Sequence, residues 1–424
     1  MTLEGEAPPA VSVVMANYNG AAHLPAALQS IRCQTLRALE IIVSDDASSD
    51  GSVAIVREAM RTDGRIRLIE APQNGGPARA RNRALEAARG EWIAIVDADD
   101  IIHPERFDRL LRAAAHFGAD IVADDLLHFS ARGVSYLLGD GPAEAFAVTT
   151  ADWIVAGSAG TPPLGYVKPM IRRRTLGTIR YDETLRIGED FDLVLRLLLG
   201  GARFQMVPEP WYLYRRHDAS ISHRLSAATM QAMIAAQRAL IEKLGPFEPP
   251  LSDAFAQRLA DLEGRLDYER LLSAVKRGAL IEAAGLARRN PRLLHPLGAS
   301  VREGLGRRMR RAPANTGTPA VLYLTDKPAA ANPAGHPGGD IQAVPPYPAR
   351  DATEWGRHRA LWKRLATMVA GREAMVACDS PAGRYAAGFL PEARIAPASV
   401  AADVAETPDP LLPGRLGGLA PEGP

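Results

Sequence analysis

Short apolar runs alternating with amphipathic stretches set the pattern of the first hundred residues. Residues 11–15 (VSVVM) predict a buried strand, followed by the polar turn Ala16-Asn17-Tyr18-Asn19-Gly20 and an amphipathic helix over 23–32. Residues 40–43 predict a second strand. It runs into a loop dense in turn formers, Ser44-Asp45-Asp46-Ala47-Ser48-Ser49-Asp50-Gly51, and then a helix over 52–61. A third strand over 65–70 alternates charged and apolar positions. After the turn Asn74-Gly75-Gly76-Pro77 comes a helix over 78–89 carrying Arg79, Arg81 and Arg83. Residues 92–96, rich in β-formers, predict a fully buried strand. Strands alternating with helices imply βαβ units and a mostly parallel sheet.

The pattern continues with a helix ending near Phe117 and a strand over 119–123, then weakens between 130 and 178. A strand is expected over 165–171, just before the basic triplet Arg172-Arg173-Arg174. Gly188-Glu189-Asp190 opens a strongly periodic helix over 191–199, closed by Gly200-Gly201. Residues 204–207 and 211–215 predict two strands, and 225–309 reads as mostly helical. From Ala312 the composition shifts: 16 of the 33 prolines fall in the last 113 residues, which marks a separate region. Two βα-like patches remain there, over 321–325 and 355–380. The stretch from Pro408 has the Pro/Gly-rich composition of a disordered tail.

Composition narrows the function. A net charge of +1 gives no overall bias toward nucleic acid. The only cysteines, Cys33 and Cys378, imply neither a disulfide framework nor a cysteine metal site, which fits a reducing cytoplasm. The first ten residues lack the basic and apolar regions of a signal peptide, and no apolar run approaches a membrane span. Charge is unevenly placed, however. Residues 276–311 hold ten Lys/Arg against two Asp/Glu, densest at Arg307, Arg308, Arg310 and Arg311 beside Leu305 and Met309. Such a segment suits peripheral contact with an anionic membrane surface, or an ordinary solvated helix end.

The most informative stretch is GEWIAIVDADD, residues 90–100, where a buried strand ends in Asp97, Asp99 and Asp100. Like charges this close repel, and burying them without a partner is expensive. A divalent cation is the natural partner, and hard carboxylate oxygens suit Mg²⁺ or Mn²⁺. One of the three, Asp100, also stands where it could cap the helix opened by His103-Pro104-Glu105-Arg106. In an open α/β sheet, ligands bind at the carboxyl ends of strands, where this cluster lies.

Six motifs occur in order: ANYNG, SDDASSDGS, NGGPARARN, VDADD, GEDFDL and YRRHDASIS. Each alone is unspecific, but the ordered set resembles the family 2 glycosyltransferases of GT-A fold, over about residues 9–224. The resemblance implies an α/β nucleotide-sugar-binding domain, with a nucleotide half over 9–124 and an acceptor half over 125–224. A helical basic extension over 225–311 and a Pro/Gly-rich region over 312–424 follow. It also implies transfer of a hexose, usually with inversion, from a nucleotide sugar such as a UDP-sugar to an acceptor hydroxyl. A lipid-linked glycan in exopolysaccharide or surface-polysaccharide synthesis is the expected acceptor. No Q-x-x-R-W element stands near YRRHDASIS, which favours single additions over processive polymerisation.

Roles implied by the resemblance attach to particular residues. Asp46 would accept a hydrogen bond from the nucleotide base, with Asn17 and Tyr18 beside it; an Asx turn at Asp46 and a core position for Tyr18 are the structural alternatives. Arg81 would reach the nucleotide. Its neighbour Arg79, two positions away, cannot share its helix face, and Arg83 reads as a solvated position. Asp97 would bind the ribose, and Asp99 the Mn²⁺ or Mg²⁺ that bridges the diphosphate. Asp190 would be the general base and Glu189 its orienting neighbour, although a helix N-terminus favours a carboxylate in any case. Asp192 is expected to face solvent. Arg215, Arg216 and His217 could close over the diphosphate, with His217 also a metal ligand and Arg216 a phosphate contact. Two rival readings are a non-catalytic nucleotide-sugar-binding protein and a nucleotidyltransferase. The second would place a Gly-rich basic loop directly after the first strand, and ANYNG is neither.

Overall fold

The computed structural model describes residues 8–130, 133–139, 144–158, 160–216 and 226–290, and beyond residue 319 four short strands and two isolated positions. The first half follows its hydrophobic pattern closely: β1 (Val11–Asn17), α1 (Leu24–Arg32), β2 (Leu39–Asp45), α2 (Ser52–Thr62), β3 (Ile66–Glu70), α3 (Pro77–Ala87) and β4 (Trp92–Ile95). These strands lie in the order β3-β2-β1-β4, all parallel. Their apolar runs are buried because helices cover both faces of such a sheet. Register aligns their carboxyl ends: Asn17 pairs with Asp45, and Val14 pairs with both Ile42 and Ile95. The polar residues that follow each strand therefore collect at one rim. Gly90 lets β4 approach β1, because a Cβ there would lie 2.5 Å from the Ser12 amide nitrogen.

In the second half come β5 (Ile101–Ile102), α4 (Arg106–Phe117), β6 (Ile121–Ser130), β7 (Gly133–Tyr136), β8 (Phe146–Val148), α5 (Thr150–Val155), a 3₁₀ turn (Leu164–Tyr166), β9 (Met170–Arg172), α6 (Arg173–Leu176), α7 (Glu189–Leu199) and β10 (Phe204–Arg215). The sheet continues β4-β9-β6-β10-β5. Here it becomes mixed. β9 runs antiparallel to both β4 and β6, while β10 runs parallel to β6. The strand expected over 165–171 is only three residues long, since the 3₁₀ turn and Pro169 occupy its beginning. The two strands expected over 204–215 are one, with a register shift between Val207 and Tyr212 where Pro208 and Pro210 withhold ladder donors. Pairing resumes at Tyr212, whose hydroxyl thereby reaches the loop after β4.

Three helices follow: α8 (Ala227–Leu244), α9 (Leu251–Lys276) and α10 (Leu280–Arg289). Leu240, Ala254 and Phe255 join the same core as the sheet. The Arg258 guanidinium lies 3.5 Å from the centroid of the Phe191 ring, which also stacks on Trp153 at 5.6 Å. The extension thus braces α7. Among the described residues no helix is long and apolar enough to cross a membrane. The Arg307–Arg311 cluster with Leu305 and Met309, and His217 to Ser222 of the YRRHDASIS motif, lie outside the described residues. Farther on, β11 (Ala320–Thr325), β12 (Asp340–Ala343), β13 (Ala374–Cys378) and β14 (Ala393–Ile395) form a parallel sheet in the order β12-β11-β13-β14.

Candidate active site

The rim at the carboxyl ends of β1, β2 and β4 holds two groups of carboxylates. The first follows β2. Asp45 accepts from the Ser48 amide at 2.8 Å, the Ser48 hydroxyl at 2.7 Å and the Asn17 side-chain amide at 2.7 Å. Asp46 accepts from the Gly75 and Gly76 amides at 2.8 and 2.7 Å, and from Arg83 at 2.6 Å. Asp46 is therefore the clasp that fixes the Asn74-Gly75-Gly76 turn to β2. Arg83 is not a solvated helix position: it is mostly buried, and its guanidinium spans Asp46 and the Ser44 hydroxyl. Beside this loop Asn17 is buried, and its Oδ1 meets no hydrogen-bond partner among the described residues. Tyr18 is 55% exposed, which excludes a core role.

The second group lies between β4 and α7. Asp97 receives Arg81 on one oxygen at 2.9 Å and Lys168 on the other at 2.8 Å. Lys168 also donates to Asp190 at 3.1 Å. Arg81 reaches Glu189 at 2.8 Å and lies 3.5 Å from Asp190. Four chain segments meet here: α3 supplies Arg81, the end of β4 Asp97, the approach to β9 Lys168, and the first turn of α7 Glu189 and Asp190. Gly188, with φ +88°, makes the turn that starts α7, a backbone shape that other residues rarely adopt. Three acids in that first turn, Glu189, Asp190 and Asp192, meet the positive end of the helix dipole.

Electrostatics separate these carboxylates. Burial raises the Asp190 carboxyl, but Arg81 and Lys168 outweigh it and hold the group below its usual range. The same competition, with Lys168 and Arg81 against burial, holds Asp97 well below that range. Glu189 goes the other way, raised by burial and by Asp190 despite its bond to Arg81. Lys168 is buried, yet its pairing with Asp190 and Asp97 keeps its ammonium protonated far above the ordinary range.

Asp100 does not cap α4, whose N-cap is Glu105. It is buried and accepts from the Tyr212 hydroxyl at 2.8 Å and the Arg215 amide at 2.7 Å. Burial, with Asp99 and Asp97 nearby, pushes its carboxyl well up. The Asp97 amide donates to the Tyr212 oxygen at 3.1 Å, so one tyrosine pins both ends of this loop. Arg215 Nε donates to the Asp99 carbonyl at 2.8 Å. Of the two arginines after β10, it is thus Arg215 that the structure ties to the aspartate loop; Arg216 is exposed at the end of the described segment. Asp97, Asp99 and Asp100 present oxygens within 4.8 Å of one another. Three hard donors in an acid-rich setting fit a divalent cation such as Mg²⁺ or Mn²⁺.

Of the expected residues, the structure brings Arg81, Asp97, Glu189 and Asp190 into one network, with Asp99 on the adjoining loop. Asn17, Tyr18 and Asp46 form a second cluster on the same rim. Arg79 is half-exposed and lies 3.9 Å from Glu183. Asp192 does not face solvent; it is mostly buried against Arg196 at 2.7 Å. Sequence reasoning missed Lys168 and Tyr212. A single lysine in VKPM carries no pattern, and Tyr212 sits in the run WYLY, where it reads as strand core.

The family described as Glycosyl transferase family 2 matches residues 12–159. The chain is 36% identical over 241 residues to the succinoglycan biosynthesis protein ExoO of Rhizobium meliloti (strain 1021), covering 55% of this chain and 69% of that protein. It is 31% identical over 248 residues to ExoU, a succinoglycan biosynthesis protein of the same strain, covering 55% and 70%. Among solved structures, that of S. aureus TarS 1-349 in complex with UDP-GlcNAc superposes with a TM-score of 0.51 at 19% identity, covering 66% of this chain and 92% of that one. The last likeness speaks to the fold, which is GT-A. The relatives, matched over more than two thirds of their length at above 30% identity, establish the rest: this chain is a glycosyltransferase of family 2.

Proposed function

We propose that the enzyme is an inverting, metal-dependent hexosyltransferase that moves one sugar from a UDP-sugar to an acceptor hydroxyl. A lipid-linked glycan in exopolysaccharide synthesis is the acceptor that the succinoglycan relatives suggest. The observation that carries the reading is the ammonium of Lys168 lying between Asp97 and Asp190. A carboxylate on the donor side and one on the acceptor side thus sit a single side chain apart.

In this reading the nucleotide base lies against Tyr18, beside the orphaned Asn17 oxygen. Asp46 already accepts three hydrogen bonds, which leaves its carboxylate one direction for a base N–H. Asp97 takes the ribose. Asp99, with Asp97 and Asp100 beside it, would hold Mn²⁺ or Mg²⁺, and such an ion neutralises charge on the leaving diphosphate. Arg215, tied to this loop through Asp99 and Asp100, and the exposed Arg216 after it would meet the diphosphate. Asp190 accepts the acceptor's hydroxyl proton as that oxygen bonds to the anomeric carbon. The bond from that carbon to the diphosphate oxygen breaks on the opposite face, and its electron pair leaves with UDP. A single displacement of this kind inverts the anomeric centre. The cations keep Asp190 ionised before the acceptor arrives, whereas its raised neighbour Glu189 orients Arg81.

The test is nucleotide release from a panel of nucleotide sugars, with chelator and with added Mn²⁺ or Mg²⁺. Turnover should be highest with one UDP-sugar, vanish in chelator and return with the ion. Full turnover in chelator contradicts the metal role, and a clear preference for a GDP- or TDP-sugar contradicts the donor assignment.

A further inference from the structure

Lys168 helps keep Asp190 ionised, yet its placement is more constrained than a charge alone requires. Its ammonium is buried, and it touches Asp97 of the β4 loop and Asp190 of α7, at 2.8 and 3.1 Å. Its backbone is held as well. Pro169 follows it, which restricts residue 168 to extended conformations. Its carbonyl accepts from Arg106, whose guanidinium is fully buried and bonds both oxygens of an equally buried Asp124. The same guanidinium lies 4.8 Å from the centroid of the Tyr212 ring, whose hydroxyl pins the aspartate loop. One buried ion pair thus anchors both Lys168 and the loop that carries Asp97.

Stability does not account for such a lysine. Desolvating an ammonium is costly, and buried ion pairs are commonly replaced by apolar side chains with no loss of stability. The arrangement makes sense if the spacing of the two carboxylates matters. A compact ammonium with tetrahedrally disposed hydrogens holds two carboxylate oxygens at fixed separation, which a planar guanidinium does differently.

We propose that Lys168 is a positioning residue that locks the donor-side carboxylate Asp97 to the acceptor-side carboxylate Asp190, fixing the base relative to the anomeric carbon. This rests on the role of Asp190 given above. Lys168 acts through Asp190 and makes no covalent contribution; it sets where the proton acceptor stands when the acceptor oxygen attacks.

The experiment is a double-mutant cycle. Lys168→Met, Asp190→Asn and the combined variant are assayed for nucleotide release from the preferred nucleotide sugar, with water as acceptor. Thermal melting checks folding, and calorimetry measures nucleotide binding. Lys168→Met should lower kcat by about 10²-fold, the scale of a misplacement near 1 Å, with a much smaller change in donor KM. The combined variant should be no slower than Asp190→Asn alone, because removing the base removes what Lys168 positions. Multiplying losses, or an unchanged kcat in Lys168→Met, overturn the proposal. An unchanged kcat in Asp190→Asn overturns the base assignment and the positioning role with it, whereas an impaired Asp190→Asn with multiplying losses overturns the positioning role alone. If Lys168→Met does not melt cooperatively, Lys168→Arg, which keeps the charge and alters the spacing, replaces it in the cycle under the same criteria.

Discussion

The loop after β2 and the pocket between β4 and α7 both concentrate buried carboxylates, and they neutralise them by different means. Asp45 and Asp46 draw half of their hydrogen bonds from the backbone: the amides of Ser48, Gly75 and Gly76, with the Ser48 hydroxyl, Asn17 and Arg83 supplying the rest. Asp97 and Asp190 instead share two buried side-chain cations, Lys168 and Arg81. Backbone amides cannot leave without unmaking the turn. Side-chain cations tie together carboxylates from separate chain segments, Asp97 after β4 and Asp190 of α7. The first region therefore behaves as scaffold with a ligand-facing rim, and the second as machinery.

That contrast can be broken by substitution. Asp46→Ala should cost the fold about 2–3 kcal/mol, because it strands two amides and the mostly buried Arg83. Donor binding should weaken in step as the Asn74-Gly75-Gly76 turn comes loose. Chemical denaturation and calorimetry with UDP measure both effects. An Asp46→Ala protein as stable as wild type would remove the scaffold role.

A smaller effect should appear with pH. The Asp190 carboxyl lies below its ordinary value of 3.8, against burial, because Arg81 and Lys168 favour the charged form. A depressed folded-state value contributes stability that is present above the unfolded value and lost as pH falls through the folded one. Acidification from pH 6 should thus destabilise wild type more than Asp190→Asn, with the difference opening below about pH 4. Melting curves across that range check it; parallel curves would mean that the ion pairs do not hold in solution.

The same contrast explains what the sequence could disclose. Strands β1, β2 and β4 were legible because each is an apolar run bounded by turn residues, and their parallel order places the residues after them on one rim. The Asp97 loop was legible because three acids after a buried strand call for a partner. Partners distant along the chain were not. Lys168 lies 71 positions from Asp97, and nothing local marks it. Arg83 was misread because helical spacing describes only the faces of its own helix, while the carboxylate it meets comes from β2. Asp192 was misread for the same reason in reverse: its partner, Arg196, is one turn along α7, but the burial of that face comes from tertiary packing.

The central claim is that Asp190 takes the acceptor proton while the nucleotide is held elsewhere. Its most direct test is Asp190→Asn, assayed for turnover and, by calorimetry, for UDP binding. The account predicts a fall in kcat of about 10²–10⁴-fold with UDP affinity nearly unchanged. Lost UDP binding with turnover preserved at saturating donor would make Asp190 a nucleotide ligand and contradict the account.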